Sequence, residues 1–562
     1  MKGADERMTF SAQTRKENIK KLSSDQVDLL IIGGGITGAG LALHAAARGI
    51  KVGLIEMQDF AGGTSSRSTK LVHGGLRYLK QFDVELVSDV AKERAVIGKN
   101  APHIVQPSYM LMPVYDEPGA SFNEFTAEVV LHLYDYLAET DEEWAHYIVD
   151  KEEVLKEEPH LKEEGLMAGG FYLDYTNDDA RLTIETIKKA DELGAIITNY
   201  VKAESFGYDD EGKIRTVRAM DTLNEESFDI DAKVVVNATG PWSDETRKNR
   251  KADTEGKMFP TKGVHFVVDH SKLPVSRTIY TDTGQEDNRM VFIIPRGNKT
   301  YFGTTDTPFE GAYEDPSITQ EDIDYLLQTI NHRFDGVSIT LDDIESSWAG
   351  LRPLIQDENN DDPSGISRGH EIFTEEDGLI TIAGGKLTDY RRMAEDACEV
   401  IDKAFEELNV RFDQVDTKTI PLSGGDVEDP SAFQTFIDQH SQDGTDAGLD
   451  QEDARFLADW YGTNIFKVYE LLDKAHTFDM PLKDALQLAY GLEHEMILSP
   501  EDFFERRTDS IFFNIDRVIE LKESVLEVMQ KELGWSEEEK ENWSIHLDER
   551  VREVSLEEFK IK

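Results

Sequence analysis

The chain is expected to be an α/β protein: a Rossmann-like nucleotide-binding layer interleaved with a mixed-sheet α+β domain, followed by a C-terminal all-α domain. Three observations predict this. Strand, glycine turn, helix and second strand follow one another in VDLLIIGGGITGAGLALHAAARGIKVGLIE, residues 27–56. Short apolar runs such as HFVVD, MVFIIP and TYFGTT alternate with charged segments over about 101–165 and 255–370, as in a sheet-based domain. Beyond PLSGGDVEDP, residues 421–430, the periodicity becomes helical. A chain of 562 residues exceeds one compact core. The expected division is an N-terminal arm over 1–23, a nucleotide-binding domain over 24–425 with the sheet-based domain threaded through it, and a helical domain over 426–562.

The arm carries Arg15, Lys16, Lys20 and Lys21, a cluster that suits a solvated helix face or contact with membrane phosphates. It has no apolar h-region, so neither a secretion signal nor a membrane anchor is expected there. Residues 29–47 contain no formally charged side chain and would pass a hydropathy scan, but their glycines argue for a turn rather than a spanning helix. In that turn Gly33, Gly35 and Gly38 form G-x-G-x-x-G. The first glycine permits the turn, the second lets backbone approach a pyrophosphate, and the third lets helix and strand pack closely. Glu56 ends the next strand, 18 residues past Gly38. A carboxylate there accepts hydrogen bonds from a ribose and repels a 2′-phosphate, which favours FAD or NAD over NADP.

The segment that follows, TSSRSTKLVHGGLRY (64–78), is hydroxyl-rich and cationic in a strongly acidic chain. Further on, Ala180, Ile184, Ile187, Ala190 and Leu193 recur at helical spacing before Gly194. KVVVNATGPW (233–242) and GLITIAGGKLTDYRR (378–392) are apolar strands ending in glycine turns, of the kind that bring a two-dinucleotide-binding-domain flavoprotein back to its flavin.

The balance of 60 basic against 112 acidic residues gives a net charge of −52, which repels phosphate polymers and excludes nucleic acid as a partner. The single cysteine, Cys398, cannot form an intrachain disulfide, and no cluster has metal-ligand spacing. A reducing cytoplasm and no metal are expected.

GGGITGAG, TSSRSTKLVHGGLRYL, NATGPW, KGVHFVV, FGTTDTP, GLRPL and GGKLTDYR, in this order, resemble the FAD-dependent glycerol-3-phosphate dehydrogenases of the aerobic type. The resemblance covers about residues 27–395. It implies FAD as cofactor, with Thr64, Ser65 and Ser66 as its nearest donors and Lys70, Leu71 and His73 further along the loop. Val201 would supply a backbone contact, and Ala238, Gly240, Trp242, Gly385 and Thr388 would stand at the returning turns. Arg77 and Tyr78 would face the substrate side of the flavin. Arg77, Arg352, Arg368 and Lys386 correspond to the family's substrate-site cations, and a phosphate dianion suits such a clamp because the guanidinium fork pairs with it bidentately.

The chemistry so implied is oxidation of sn-glycerol 3-phosphate to dihydroxyacetone phosphate, with a hydride passing from C2 to flavin N5 and the hydroxyl proton to a base. His265 is the first candidate base, ahead of His73; the alternative is that Arg352 or Lys386 stabilises the alkoxide while water takes the proton. No second redox centre is visible, so the electrons must leave the protein. The expected acceptor is a membrane quinone, reached by a peripheral enzyme on the inner face of the cytoplasmic membrane. A glycerol-3-phosphate oxidase that uses oxygen is the alternative, although the chain has little room for the long insertion of such oxidases. An amino-acid oxidase or a non-catalytic flavin sensor fits the clamp less well. Self-association is left open.

Overall fold

A computed structural model describes residues 10–76, 79, 84–250, 255–285, 287–356 and 369–560. Its first sheet is built on Val27–Ile32, flanked by Glu226–Asn237 and Val52–Ile55, both parallel to it. Ile196–Thr198 continues the parallel order on one side and Ile380–Gly384 on the other, where antiparallel His370–Thr374 closes the edge. The apolar runs 29–32, 52–55 and 234–236 of the central strands are what a sheet covered on both faces requires.

Strand alternation sorts those runs. Leu29 and Ile31 join the core under the helices Ile36–Ala47, Asp179–Glu192 and Tyr390–Glu407. Leu30 and Ile32 face the other way, onto the hairpin of Val201–Tyr208 and Ile214–Asp221 and onto Leu22. In the second of those helices Ala180, Ile184, Ile187 and Ala190 are buried, whereas Leu193 has become the C-cap and is exposed.

Leu22 belongs to a helix, Ala12–Ser24, that packs on the sheet and takes up most of the segment read as an N-terminal arm. The basic cluster divides accordingly. Arg15 is buried and ion-paired with Asp221 at 2.6 Å, while Lys16, Lys20 and Lys21 remain exposed. A guanidinium can be buried here because Asp221 and the carbonyls of Asn199 and Tyr200 accept from it.

The second sheet pairs Met258–Asp269 with Ile344–Ile355 and Lys299–Gly303, and Gln106–Tyr115 with Leu166–Thr176, all antiparallel. It reaches beyond the two sequence ranges expected for it. Leu71 and Val72, in the middle of the cationic loop, pair with Thr176 and Tyr175. The loop thus leaves the first sheet after Val52–Ile55 and ends as an edge of the second.

Helices dominate the C-terminal region, among them Gln451–Tyr461, Leu482–His494, Ile515–Leu533 and Glu537–Val554. Their apolar residues run into the core of the second sheet: the Trp348 ring lies 5.2 Å from Phe512 and 5.8 Å from Phe513. No helix of the described residues is long and apolar enough to cross a membrane.

The close packing at the glycine turn makes a direct prediction. A Cβ on Gly38 would stand 1.9 Å from the Gly33 carbonyl oxygen, which is backbone and cannot swing aside. Gly38→Ala should therefore cost about 3 kcal/mol of stability, as overpacking of a tight core does. Thermal unfolding of the variant beside the parent protein measures it, and an unchanged midpoint would show that the turn can yield.

Candidate active site

Val27–Ile32 ends at Gly33, whose φ of +114° only glycine adopts without strain. A Cβ there would lie 2.5 Å from the carbonyl oxygen of Ala238, so the returning NATG turn presses on the first turn. Gly35 is the N-cap of Ile36–Ala47 and supplies no capping side chain. Ser65 takes one of the orphan donors, accepting from the Ile36 N–H at 3.0 Å. Glu56 accepts from the N–H groups of Gly34 at 2.6 Å and Gln58 at 2.8 Å, while its burial pushes the carboxyl pKa up.

These groups line a cavity of about 580 Å³. Of the residues expected at a cofactor, Gly33, Gly35, Glu56, Thr64, Ser65, Leu71, His73, Val201, Ala238, Gly240, Trp242, Gly385 and Thr388 stand on its wall. A helix N-terminus without a capping side chain, glycines where a Cβ would fill the space, and a carboxylate at the end of the second strand together fit a dinucleotide.

The rest of the loop is pinned residue by residue. Thr64 Oγ1 donates to the Leu351 carbonyl at 2.5 Å. The Ser68 N–H donates to Asp179, and the Ser68 carbonyl accepts from Trp348 Nε1 at 3.0 Å. The Thr69 carbonyl accepts from the Tyr301 hydroxyl, and Thr69 Oγ1 meets His265 Nε2 at 3.0 Å.

Ser66 and Lys70 depart from expectation, since neither lines the cavity. Ser66 is completely buried. Lys70, in a left-handed conformation at φ +56°, sends its ammonium to Asp179 at 2.7 Å and Asp509 at 3.4 Å. Burial opposes its charge, but the carboxylates around it hold the pKa far above that of an ordinary lysine. Gly38 also lies off the wall, in the helix–strand packing foreseen for it.

Three chemical groups from distant segments complete the cavity. His265 projects from Met258–Asp269, Arg352 from Ile344–Ile355, and Lys386 from the turn after Ile380–Gly384. Arg352 is held by Asp306 at 3.0 Å and by Thr304 Oγ1 at 3.3 Å. His265 is stacked on Trp348, 4.9 Å between centroids and 13° between planes. Burial, with Arg352 and Lys70 nearby, holds its pKa well below 6.5. His73 is likewise held down, to about 3, by burial and by Lys386.

Arg77, Tyr78 and Arg368, expected at the substrate, lie outside the described residues. Sequence reasoning gave no role to Arg67, Thr69 and Thr304, which line the cavity, or to Asp306, which holds Arg352. The first two sit inside the cationic loop and the last two inside FGTTDTP, so their motifs were visible while their directions were not.

Comparison with known proteins agrees with this geometry. Residues 28–391 match the family described as FAD dependent oxidoreductase, and residues 415–540 match the C-terminal domain of alpha-glycerophosphate oxidase. The alpha-glycerophosphate oxidase of Streptococcus pyogenes serotype M3 is 48% identical over 588 positions, covering 95% of this chain and 96% of that protein. That of Streptococcus pneumoniae serotype 4 is 47% identical over 611 positions, covering 98% and 100%. The crystal structure of the glycerol-3-phosphate dehydrogenase from Bacillus halodurans complexed with FAD superimposes with a TM-score of 0.83 at 42% identity, covering 97% of this chain and 98% of that one. The chain therefore belongs to the FAD dependent oxidoreductases, in the group of the glycerol-3-phosphate dehydrogenases and alpha-glycerophosphate oxidases, and FAD is its cofactor.

Proposed function

We propose that the protein oxidises glycerol 3-phosphate to dihydroxyacetone phosphate. The observation that carries this reading is the convergence of Arg352 and Lys386, from separate segments, on the cavity that His265 and the glycine turn also line. Two cations lining one cavity suit a phosphate dianion, and the bonds from Arg352 to Asp306 and Thr304 orient its fork before substrate arrives. FAD, when bound, supplies the acceptor for the hydride that leaves C2.

His265 is the proposed base. Its buried ring lines the cavity and meets the Thr69 hydroxyl, so the proton of the substrate hydroxyl would pass to Nε2 by way of Thr69 Oγ1. A depressed pKa keeps the imidazole neutral and able to accept at neutral pH.

The names of the relatives support the substrate, and they favour oxygen as acceptor, since those at 47% and 48% identity are alpha-glycerophosphate oxidases. A membrane quinone is the second reading, with peripheral docking at the inner face of the cytoplasmic membrane. It retains one specific support. The alignment to the pneumococcal oxidase, at 611 positions, is longer than this whole chain of 562 residues, so that oxidase carries insertions that this chain lacks.

Anaerobic addition of glycerol 3-phosphate should bleach the oxidised flavin band near ~450 nm, a general flavin property, while glycerol should leave it unchanged. Bleaching by neither compound would remove the substrate assignment. Admitting air to the reduced protein then separates the acceptors: fast return of the band means oxidase, and slow return that a soluble quinone accelerates means dehydrogenase.

Arg352→Met should lower kcat/KM by about two orders of magnitude, chiefly through KM, with Arg352→Lys intermediate because it keeps charge but not the fork. Equal loss in the two variants would argue against bidentate phosphate recognition.

The histidine also sets a pH dependence. A folded pKa below the unfolded 6.5 means that His265 contributes stability fully above pH 6.5 and loses it as pH falls toward the folded value. The acid limb of kcat/KM should accordingly lie below pH 6.5. A His265-dependent inflection at or above 6.5 would take this residue out of the role.

A further inference from the structure

The cofactor loop is tied from behind to the C-terminal helical region. Arg67 lines the cavity, and its carbonyl oxygen lies 2.3 Å from where a Gly350 Cβ would stand, so its backbone is seated directly on the second sheet. Its guanidinium turns away from that contact. Nη2 lies 3.6 Å from Glu505 Oε1, and Nη1 donates to the Glu314 carbonyl at 3.1 Å. The Glu314 carboxylate in turn accepts from Trp242 Nε1 at 3.0 Å. Arg67, Glu314 and Trp242 all line the cavity, and Glu505 does not.

Glu505 belongs to the one-turn π-helical segment Asp502–Arg507 and has 1% of its side chain exposed. Burial alone would raise its pKa, but Arg550, Arg67 and Arg506 together hold it at about 2. It is therefore a permanent anion buried behind the cavity wall, and its Arg550 contact, Nε to Oε2 at 3.1 Å, anchors it to the helix Glu537–Val554.

We propose that Glu505 is a positioning residue for FAD: through Arg67, and from Arg67 through Glu314 to Trp242, it sets one wall of the cofactor cavity without touching the cofactor. The inference rests on FAD being the cofactor and is independent of the substrate. It assigns a task to the C-terminal region, whose helices supply the fixed charge against which the loop is registered. Two neighbouring ties repeat the arrangement, Asp59 with Arg506 and Arg507, and Lys70 with Asp509.

The test is the rate at which FAD leaves the holoenzyme on dilution, read as recovery of flavin fluorescence and needing no turnover. Glu505→Gln should release FAD about tenfold faster, the scale of a broken coupling between contacting residues. Arg67→Met should do likewise, and the double variant should be no faster than Arg67→Met alone. Arg550→Met, which removes the anchor of Glu505 to the helix Glu537–Val554, should also speed FAD release, by less than Glu505→Gln, and lower the unfolding midpoint. An unchanged release rate in Glu505→Gln, or effects that multiply in the double variant, would overturn the proposal. Should Glu505→Gln yield no folded holoenzyme, Glu505→Asp, which keeps the charge and withdraws it by one methylene, enters the same cycle with the same criterion.

Discussion

A charge buried without a partner costs several kcal/mol, and this protein buries many of them around the loop that follows Glu56. Asp59 lies between Arg506 at 2.8 Å and Arg507 at 2.7 Å, all three nearly inaccessible. Arg67 faces Glu505, and Lys70 faces Asp179 and Asp509. Arg181 joins Glu185 and Glu495 in the same buried layer. Such pairs add little net stability over apolar packing, but a displaced member leaves an uncompensated charge behind, so they specify position strongly. Most of them link the segment 59–70 or the helix behind it with residues between 495 and 509, and the cavity takes its shape from that linkage.

The same constraint explains how a chain with a net charge of −52 can hold anionic ligands. Its acidity repels anions at long range, but that repulsion is screened within about 10 Å at ordinary ionic strength. Inside the cavity other terms govern. The helix N-terminus at Gly35 contributes N–H groups and the positive end of a dipole, and Arg352 and Lys386 contribute full charges. Arg352 stays in place because Asp306 balances it at the back, at 3.0 Å. On the outside, by contrast, Lys16, Lys20 and Lys21 stand exposed on a docked helix whose Arg15 is consumed in holding it to the sheet.

Much of the fold was legible because its signals are local. Gly33, for its φ of +114°, and Gly38, whose Cβ would meet the Gly33 carbonyl, must be glycine for reasons contained within a dozen residues of chain, and Glu56 follows from the length of one helix and one strand. The largely apolar runs at 27–32 and 233–237 marked strands, and the structure pairs them directly, in parallel. The direction of the Lys70 side chain has the opposite character. A lysine amid serines and threonines after a nucleotide-binding strand resembles an anion ligand, and what turned it inward was a left-handed backbone angle together with Asp179 and Asp509, 109 and 439 residues away. Nothing near Lys70 in sequence carries that information.

By itself the sequence determined the nucleotide-binding turn and the strand and helix periods around it, which follow from short-range sterics and residue type; Arg352, Lys386 and His265 were singled out through motifs that resemble those of a known family. Only the tertiary structure decided which cations face the cavity and which are spent in buried pairs, that the expected arm is a docked helix, that Leu71 and Val72 carry the loop into the second sheet, and that the C-terminal helices brace the cofactor loop. Those outcomes depend on partners hundreds of residues apart, and on a desolvation cost that is settled only when both members of a pair are brought together.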